Sequence, residues 1–292
     1  MSGEAIAKAM LSRLRRFTLC SLALVPFAGP ALAGDTSAWS AREGTAARLV
    51  AGGAQEGSHD GSLIGGVEIR LPEGLKTYWR YPGDSGVPPH FDWSGSRNVE
   101  AVEVLWPAPV RFDDGGSFSI GYKRDVVLPL RITPKDRSQP VDLKLNLDFA
   151  VCGKICQPAN AALDLALPPG GIGAPSAALT QALASVPRPA ELGARSEPGI
   201  AAAELHHASD GATIRIATHV GNAATADLFV EGPDEDWALP LPARETGADG
   251  RTIFVLPVDG IPKGADVTTA RLRFTLVDGD RAIEVDTPLS AR

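Results

Sequence analysis

Short runs of alternating apolar and polar residues recur along this 292-residue chain, and they constrain its fold more than any other feature. Each run is bounded by Gly, Pro, Asp or Asn, which interrupt strands and form turns. The eight clearest runs are LIGGVEIRL, VEAVEVLW, DVVLPLRI, VDLKLNLDFAV, ATIRIAT, ADLFVEG, TIFVLPV and ARLRFTLVDG. Only SAALTQALASV, residues 176–186, looks helical. The sequence therefore predicts an all-β protein with one short helix.

A stretch rich in Pro, Gly and Ala, LPPGGIGAPSAALTQALASVPRPAELG, separates the strand runs into two sets. A chain of this length is also too long for one small core. We therefore predict two β-sandwich domains, at 35–170 and 200–292. The linker between them, 171–199, would contain the short helix.

The first 33 residues have the order of a secretory signal. Three arginines precede the apolar run FTLCSLALVPFAG, and the small-residue site ALA predicts cleavage after Ala33. Prolines and a glycine interrupt the run well short of the roughly 20 residues that a membrane-spanning helix needs. The mature protein is expected to be periplasmic and not to span a membrane.

Cleavage would leave an acidic protein with two cysteines. The signal contains Cys20, four basic residues and one acidic residue, so its loss changes the formal charge from −7 to −10. An acidic surface argues against nucleic acid as a partner. The two cysteines that remain, Cys152 and Cys156, lie within FAVCGKICQP.

The strands on both sides of the cysteine pair predict where the two sulfurs lie. From Val141 to Val151 every second residue is apolar, so an unbroken pattern places Cys152 on the polar face. The alternating leucines at 163–167, extended backwards, place Cys156 off the core face too. Both sulfurs are therefore expected outside the core, where a partner could reach them.

A disulfide between the two cysteines requires a turn. Four extended residues span about 13 Å, whereas the Cα atoms of a disulfide are about 4.4–6.8 Å apart. We therefore predict a reversal at GKI, with Gly153 as the residue that permits it. Closing so short a loop stabilises the fold by only about 2 kcal/mol, and an exposed disulfide of this kind is exchangeable. A local structural disulfide is the alternative, because secreted proteins contain them.

Metal binding is a third interpretation of the pair. The C-x3-C spacing followed by Pro is similar to the copper motif of SCO-type assembly proteins, and two thiolates suit Cu(I). That family places its motif in a thioredoxin-like setting with a distant histidine. Here the surroundings indicate strands, and none of the five histidines has ligand spacing to the pair. We predict no metal and no other cofactor.

Three stretches, in order, resemble the N-terminal periplasmic domain of the DsbD family of thiol:disulfide interchange proteins. They are GLKTYWRYPGDSGVPPHFDW, RFDDGGSFSIGYKRDVVLPLRI and DFAVCGKICQPANAALDLAL. With three residues between the cysteines rather than five, the chain is most similar to the ScsB-type relatives, which are linked to suppression of copper sensitivity. The resemblance implies an immunoglobulin-like fold with a redox-active cysteine pair.

The resemblance also implies a mechanism and partners. Cys156 would be the attacking sulfur and Cys152 the resolving one, in a thiol–disulfide oxidoreductase of the protein-disulfide reductase type. Reducing equivalents would pass from a membrane electron-transfer protein to periplasmic thioredoxin-like proteins. DsbD itself continues into a membrane domain and a thioredoxin domain, so the carrier is expected to be a separate protein. The alternative is a periplasmic copper-binding or scaffold protein with a structural disulfide.

A loop that caps the sulfurs is part of the same resemblance. Its acidic positions match Asp113 and Asp114. The family's capping aromatic falls on Gly115, which leaves Phe112 or Phe118 to cap the pair. The aromatic residues expected beside the site are Tyr78, Trp79 and Tyr81.

Overall fold

A computed structural model describes residues 34–42, 44–55, 57, 60–113, 116–209 and 211–289. The predicted signal segment and its cleavage site lie outside these residues. The described residues belong to one compact unit, Ala33–Arg292. They form strands and one short helix, which confirms the predicted all-β fold class.

The N-terminal half, residues 34–167, contains three antiparallel sheets. Their strand orders are β1-β2-β3-β9-β6, β11-β10-β5 and β4-β8-β7. The strands are β1 Ser40–Arg42, β2 Thr45–Ala54, β3 Leu63–Arg70, β4 Thr77–Gly83, β5 His90–Asp92, β6 Val99–Val104, β7 Val110–Asp113, β8 Phe118–Tyr122, β9 Val126–Pro134, β10 Val141–Cys152 and β11 Cys156–Leu167.

Strand alternation determines which side chains form the core of this half. Along β10, Leu143, Leu145 and Leu147 are buried, whereas Lys144 and Asn146 between them are exposed. β11 pairs with β10 along its whole length and repeats the same period. Burying a leucine side chain stabilises a fold by about 1.5–3 kcal/mol, so the register of this hairpin is strongly specified.

The predicted helix forms as α1, Ala177–Ala184. Its N-cap is Ser176, whose Oγ accepts a hydrogen bond from the backbone N–H of Leu179 at 3.2 Å. The Leu179 side chain is fully buried in a small cluster with Val50 and Ile64 of the N-terminal half. The stretch predicted as a linker is therefore packed against β2 and β3 at this point.

The C-terminal half, residues 188–289, is built from two four-stranded sheets around its own core. The sheet orders are β12-β19-β18-β15 and β13-β14-β17-β16. The strands are β12 Arg188–Pro189, β13 Gly199–Ala208, β14 Gly211–His219, β15 Asp227–Glu231, β16 Ala243–Thr246, β17 Thr252–Pro257, β18 Arg271–Asp278 and β19 Arg281–Pro288. Each of the eight runs predicted from the sequence contains one strand of the structure.

Candidate functional site

The cysteine pair closes the hairpin of β10 and β11. Cys152 and Cys156 are direct cross-strand partners, their Cα atoms are 4.0 Å apart, and they form a disulfide. The backbone N–H of Gly153 donates to the carbonyl of Ile155 at 3.2 Å, which closes the predicted three-residue turn. A Cβ at Gly153 would lie 2.6 Å from Cδ2 of Leu75, so glycine makes room here for a neighbouring side chain.

A second strand edge covers Cys152 from the side opposite β11. The backbones of Lys76 and Cys152 exchange two hydrogen bonds of 2.9 Å. This antiparallel pairing places Tyr78, two residues further on, opposite Ala150 and on the same face as Cys152. The side chains of Tyr78, Ala150 and Cys152 accordingly form a small buried cluster apart from the main core.

The hydroxyl of Tyr78 contacts both sulfurs. It donates a hydrogen bond to Sγ of Cys152 at 2.9 Å and lies 3.4 Å from Sγ of Cys156. The tyrosine is itself only 2 % exposed. A polar O–H group is therefore held against a disulfide at a site that is otherwise apolar.

The two cysteines differ in their access to solvent. Cys156 is exposed, whereas Cys152 is only 1 % exposed. The prediction that a partner could reach both sulfurs is therefore wrong for Cys152. The predicted face is correct, since Cys152 lies outside the main core, but Tyr78 and the backbone of Lys76 cover it. Of the two cysteines, Cys156 is the one that is open to solvent.

The hairpin predicted to form the cap lies beside the strand that contains Tyr78. Strand β8 pairs with β4, with Gly121 opposite Tyr78, and β7 pairs with the far edge of β8. A Cβ at Gly121 would lie only 2.0 Å from the carbonyl oxygen of Thr77. Glycine is therefore required at this position for β8 to approach β4 so closely.

The two phenylalanines proposed as capping groups contact cations. Phe112 is buried, with the Nζ atoms of Lys76 and Lys123 at 5.1 and 5.0 Å from its ring centre. Phe118 is 36 % exposed, and the guanidinium of Arg111 lies 5.7 Å from its ring centre. None of these contacts involves a sulfur. The aromatic side chain that reaches the sulfurs is Tyr78.

The acidic positions of the cap are described only in part. A carboxylate oxygen of Asp113 accepts a hydrogen bond from the backbone N–H of Gly116 at 3.4 Å. Asp114 and Gly115 lie outside the described residues. An acidic cap over the pair therefore stays a prediction.

Two of the three aromatic residues predicted beside the site point away from it. Trp79 is fully buried in the main core, and its ring centre is 5.8 Å from that of Phe229 in the C-terminal half. The hydroxyl of Tyr81 donates to the carbonyl of Leu239, also in that half, at 2.6 Å. Placing Trp79 at the site was wrong because successive side chains on a strand face opposite sides, and Tyr78 occupies the side of the sulfurs.

Apolar side chains are exposed around this site. In the described part of the chain, the exposed large hydrophobic residues are Val87, Val110, Phe118 and Ile155. Ile155, which precedes Cys156, is 78 % exposed. The loop with Val87 is also close, since a Cβ at Gly86 would lie 2.7 Å from the Tyr78 ring. We call Val87, Phe118 and Ile155 the apolar rim.

Two further features are absent from the described ranges. No group of three or more His, Cys, Asp or Glu side chains in them is placed to hold a metal ion. No helix in the same ranges is long and apolar enough to cross a membrane.

Comparison with known proteins agrees with the geometry of the pair. Residues 52–168 match the family model of the N-terminal domain of the thiol:disulfide interchange protein DsbD. This part of the chain is therefore similar to a DsbD N-terminal domain, and we call it the DsbD-type domain. The predicted resemblance is thereby confirmed, and both cysteines lie within the DsbD-type domain. Residues 185–292 match a second family, described as a domain of unknown function (DUF8393).

A solved structure extends the similarity over most of the chain. The crystal structure of the N-terminal periplasmic domain of ScsB from Proteus mirabilis superimposes with a TM-score of 0.66 at 23 % identity. The alignment covers 88 % of this chain and 98 % of that one. At this identity the similarity shows a shared fold. No curated protein sequence matches the chain.

Proposed function

We propose that this protein is a periplasmic thiol–disulfide exchange module that relays reducing equivalents through Cys152 and Cys156. The donor would be a separate membrane electron-transfer protein and the acceptors thioredoxin-like proteins. The observation that most supports the proposal is the asymmetry of the pair. One cysteine is exposed and the other is buried against a hydroxyl donor, so attack and departure are assigned to different sulfurs.

The exchange that this geometry favours begins at the exposed sulfur. A thiolate of the reduced donor attacks Sγ of Cys156, the bond between the two cysteines breaks, and the electron pair leaves on Sγ of Cys152. The donor is then joined to Cys156 by a mixed disulfide. A second donor thiolate attacks the donor's own sulfur in that bond and releases Cys156, so the donor is oxidised and the pair reduced. Delivery to an acceptor disulfide runs through the same steps in reverse, with Cys156 attacking and Cys152 resolving.

Tyr78 supplies the electrostatic part of this mechanism. Negative charge develops on Sγ of Cys152 as the disulfide breaks, in a place that water does not reach. The Tyr78 hydroxyl already donates to that atom, so no rearrangement is needed when the charge appears. Hydrogen bonds to a charged acceptor are roughly twice as strong as neutral ones. The transition state therefore gains more from this bond than the resting disulfide does.

The apolar rim offers a docking surface for a protein partner. Ile155 stands beside Cys156. Phe118 is joined to the loop of Val87 through Asp84, whose backbone N–H donates to the Phe118 carbonyl and whose carboxylate accepts from the Phe118 N–H. Exposed apolar side chains grouped around a reactive atom are typical of interaction sites. A partner that covered them would exclude water from the two reacting sulfurs.

Export to the periplasm belongs to the same proposal. The predicted signal segment would deliver residues 34–292 to a compartment in which disulfides form and persist. The predicted result is a mature chain that begins at or near Gly34. N-terminal sequencing of the protein from its native host tests this, and retention of Met1 would contradict it.

Trapping a partner tests the proposed function. In Cys152→Ala, Cys156 can attack a partner disulfide but no sulfur resolves the product, so a mixed disulfide with a thioredoxin-like protein should accumulate in periplasmic extract. Cys156→Ala is the matched control and should trap nothing, because its remaining cysteine is buried. If neither variant traps a partner and reduction of the wild type unfolds the domain, the disulfide is structural and the proposal is wrong.

A further inference from the structure

One strand of the C-terminal half presents every second side chain to the DsbD-type domain. In β15, Leu228 and Val230 are fully buried in the core of the C-terminal half itself. Asp227, Phe229 and Glu231 alternate with them and point to the opposite side, as strand geometry requires. All three contact the DsbD-type domain: Phe229 and Glu231 contact residues of β4, and Asp227 contacts β7.

The contacts to β4 involve the two residues that directly follow Tyr78. Phe229 packs against the ring of Trp79 and joins the main core of the DsbD-type domain. The guanidinium of Arg80 donates two hydrogen bonds to the carboxylate of Glu231, at 2.8 and 2.7 Å, and a third to Glu284 at 2.5 Å. Burial opposes the charge of Arg80, but these two carboxylates outweigh it and raise its pKa above the ordinary value.

The contact to β7 holds the neighbouring hairpin in the same way. Arg111 donates to both carboxylate oxygens of Asp227, at 2.6 and 3.1 Å, and also to the carbonyl of Pro242. Strand β7 pairs with β8, and β8 places Gly121 against Tyr78. The C-terminal half therefore fixes both the strand of Tyr78 and the hairpin beside it.

We propose that the C-terminal half is a positioning platform for the redox site, which acts by holding Tyr78 against the sulfur of Cys152. Trp79, Arg80 and Glu231 are then positioning residues, since they act through Tyr78 and touch neither sulfur. This gives a role to the part of the chain that matches the domain of unknown function. It rests on the exchange reaction proposed above.

Tyr78 needs to be positioned because its hydrogen bond to the Cys152 sulfur tolerates only small changes in distance and angle. Hydrogen bonds weaken steeply as their distance and angle depart from the optimum, and the Tyr78 hydroxyl must meet a sulfur on a different sheet. On the sulfur side, β4 is tied to β10 by the backbone bridge at Lys76. On the other side, the buried contacts of Trp79 and Arg80 prevent the strand from moving away.

A double-mutant experiment on the full-length chain tests the platform. The variant Glu231→Gln removes one of the two negative charges that pair with Arg80 while keeping the size of the side chain. The rate at which glutathione reduces the disulfide is measured with and without Glu231→Gln, first in the wild-type chain, which contains Tyr78, and then in the Tyr78→Phe variant. We expect a three- to tenfold loss of rate with Tyr78, within the range of couplings that contacting residues show. With Tyr78→Phe we expect no further loss, because the group that is positioned is gone.

Control variants separate positioning from general destabilisation. Asp278→Asn alters another buried carboxylate of the C-terminal half, which accepts bonds from Gly221 and Asn222 and makes none to β4. It should lower the unfolding midpoint without changing the reduction rate. If Glu231→Gln does not fold, Phe229→Leu weakens the same interface through Trp79 and takes its place.

The possible results distinguish this proposal from the proposed function. Equal rate losses in the two Tyr78 backgrounds, or no loss in either, would overturn the platform while leaving disulfide exchange intact. A wild-type disulfide that glutathione does not reduce in the folded protein would overturn the exchange function, and the platform with it.

Discussion

Replacing Tyr78 by Phe removes one hydroxyl from the site and changes little else, because the ring stays buried beside Ala150. In the resting disulfide the lost bond is a neutral one to sulfur, worth about 1 kcal/mol or less. In the transition state the acceptor is a developing thiolate, and bonds to charged acceptors are worth about 1.5–3 kcal/mol. Since about 1.4 kcal/mol corresponds to a factor of ten, we expect reduction by a small thiol to slow by about tenfold or more.

The assay is the rate of disulfide reduction by glutathione at fixed pH, followed by alkylation and mass analysis. Tyr122→Phe is the matched control, since Tyr122 is a buried tyrosine of the same domain whose hydroxyl donates to the carbonyl of Pro107 at 2.9 Å. Tyr122→Phe should lower the free energy of unfolding at least as much as Tyr78→Phe does, because it leaves a buried carbonyl unpaired. Its rate of disulfide reduction should nevertheless equal that of the wild type. A Tyr78→Phe rate within twofold of wild type, or equal slowing in both variants, would refute the role assigned to Tyr78.

Three other variants test separate parts of the structure. Ile155→Ser should slow exchange with a thioredoxin-like protein by about tenfold, because part of the apolar contact with the partner is lost. The rate of reduction by glutathione should not change. Equal slowing with both reductants would contradict docking through the rim. Leu179→Ala should lower the free energy of unfolding by about 2–5 kcal/mol in chemical denaturation, and a smaller loss would mean that α1 does not anchor the linker stretch. Burial, with the charges of Glu231 and Asp84, raises the pKa of Tyr81 to about 12. The stability that the neutral Tyr81 side chain contributes is fully present below its ordinary pKa of 10. It should therefore be lost as the pH rises towards 12. Denaturation at a series of alkaline pH values should show a larger loss in wild type than in Tyr81→Phe, in which the buried Tyr122, whose pKa burial also raises well above its ordinary value, still contributes.

Local patterns in the sequence predicted the elements of this fold well. Strand β10 and the turn after Cys152 follow from period-two alternation and from the distance that a disulfide can span, and both involve neighbours in sequence. Helix α1 follows from the helical pattern of residues 176–186, and the structure adds the Ser176 cap.

What the sequence did not predict depends on pairing between distant segments. The burial of Cys152 requires Lys76, 76 residues earlier in the chain, to bond with its backbone. The orientation of Trp79 requires Phe229, which lies in the segment that matches a different family model. A row of aromatic residues on one strand also gives no indication of which member faces the site. The position of β4 in the folded protein decides that Tyr78 faces the sulfurs and that Trp79 faces Phe229 of the C-terminal half.

In the proposed function, the Cys152–Cys156 disulfide exchanges with thiols at one specific sulfur, and that sulfur can be mapped. Oxidised full-length protein is mixed with glutathione, quenched with acid while still folded, and analysed by peptide mass spectrometry. We expect mixed disulfides on Cys156, with Cys152 recovered as a free thiol. Glutathione found on Cys152, or a disulfide that stays intact until the domain unfolds, would contradict this expectation.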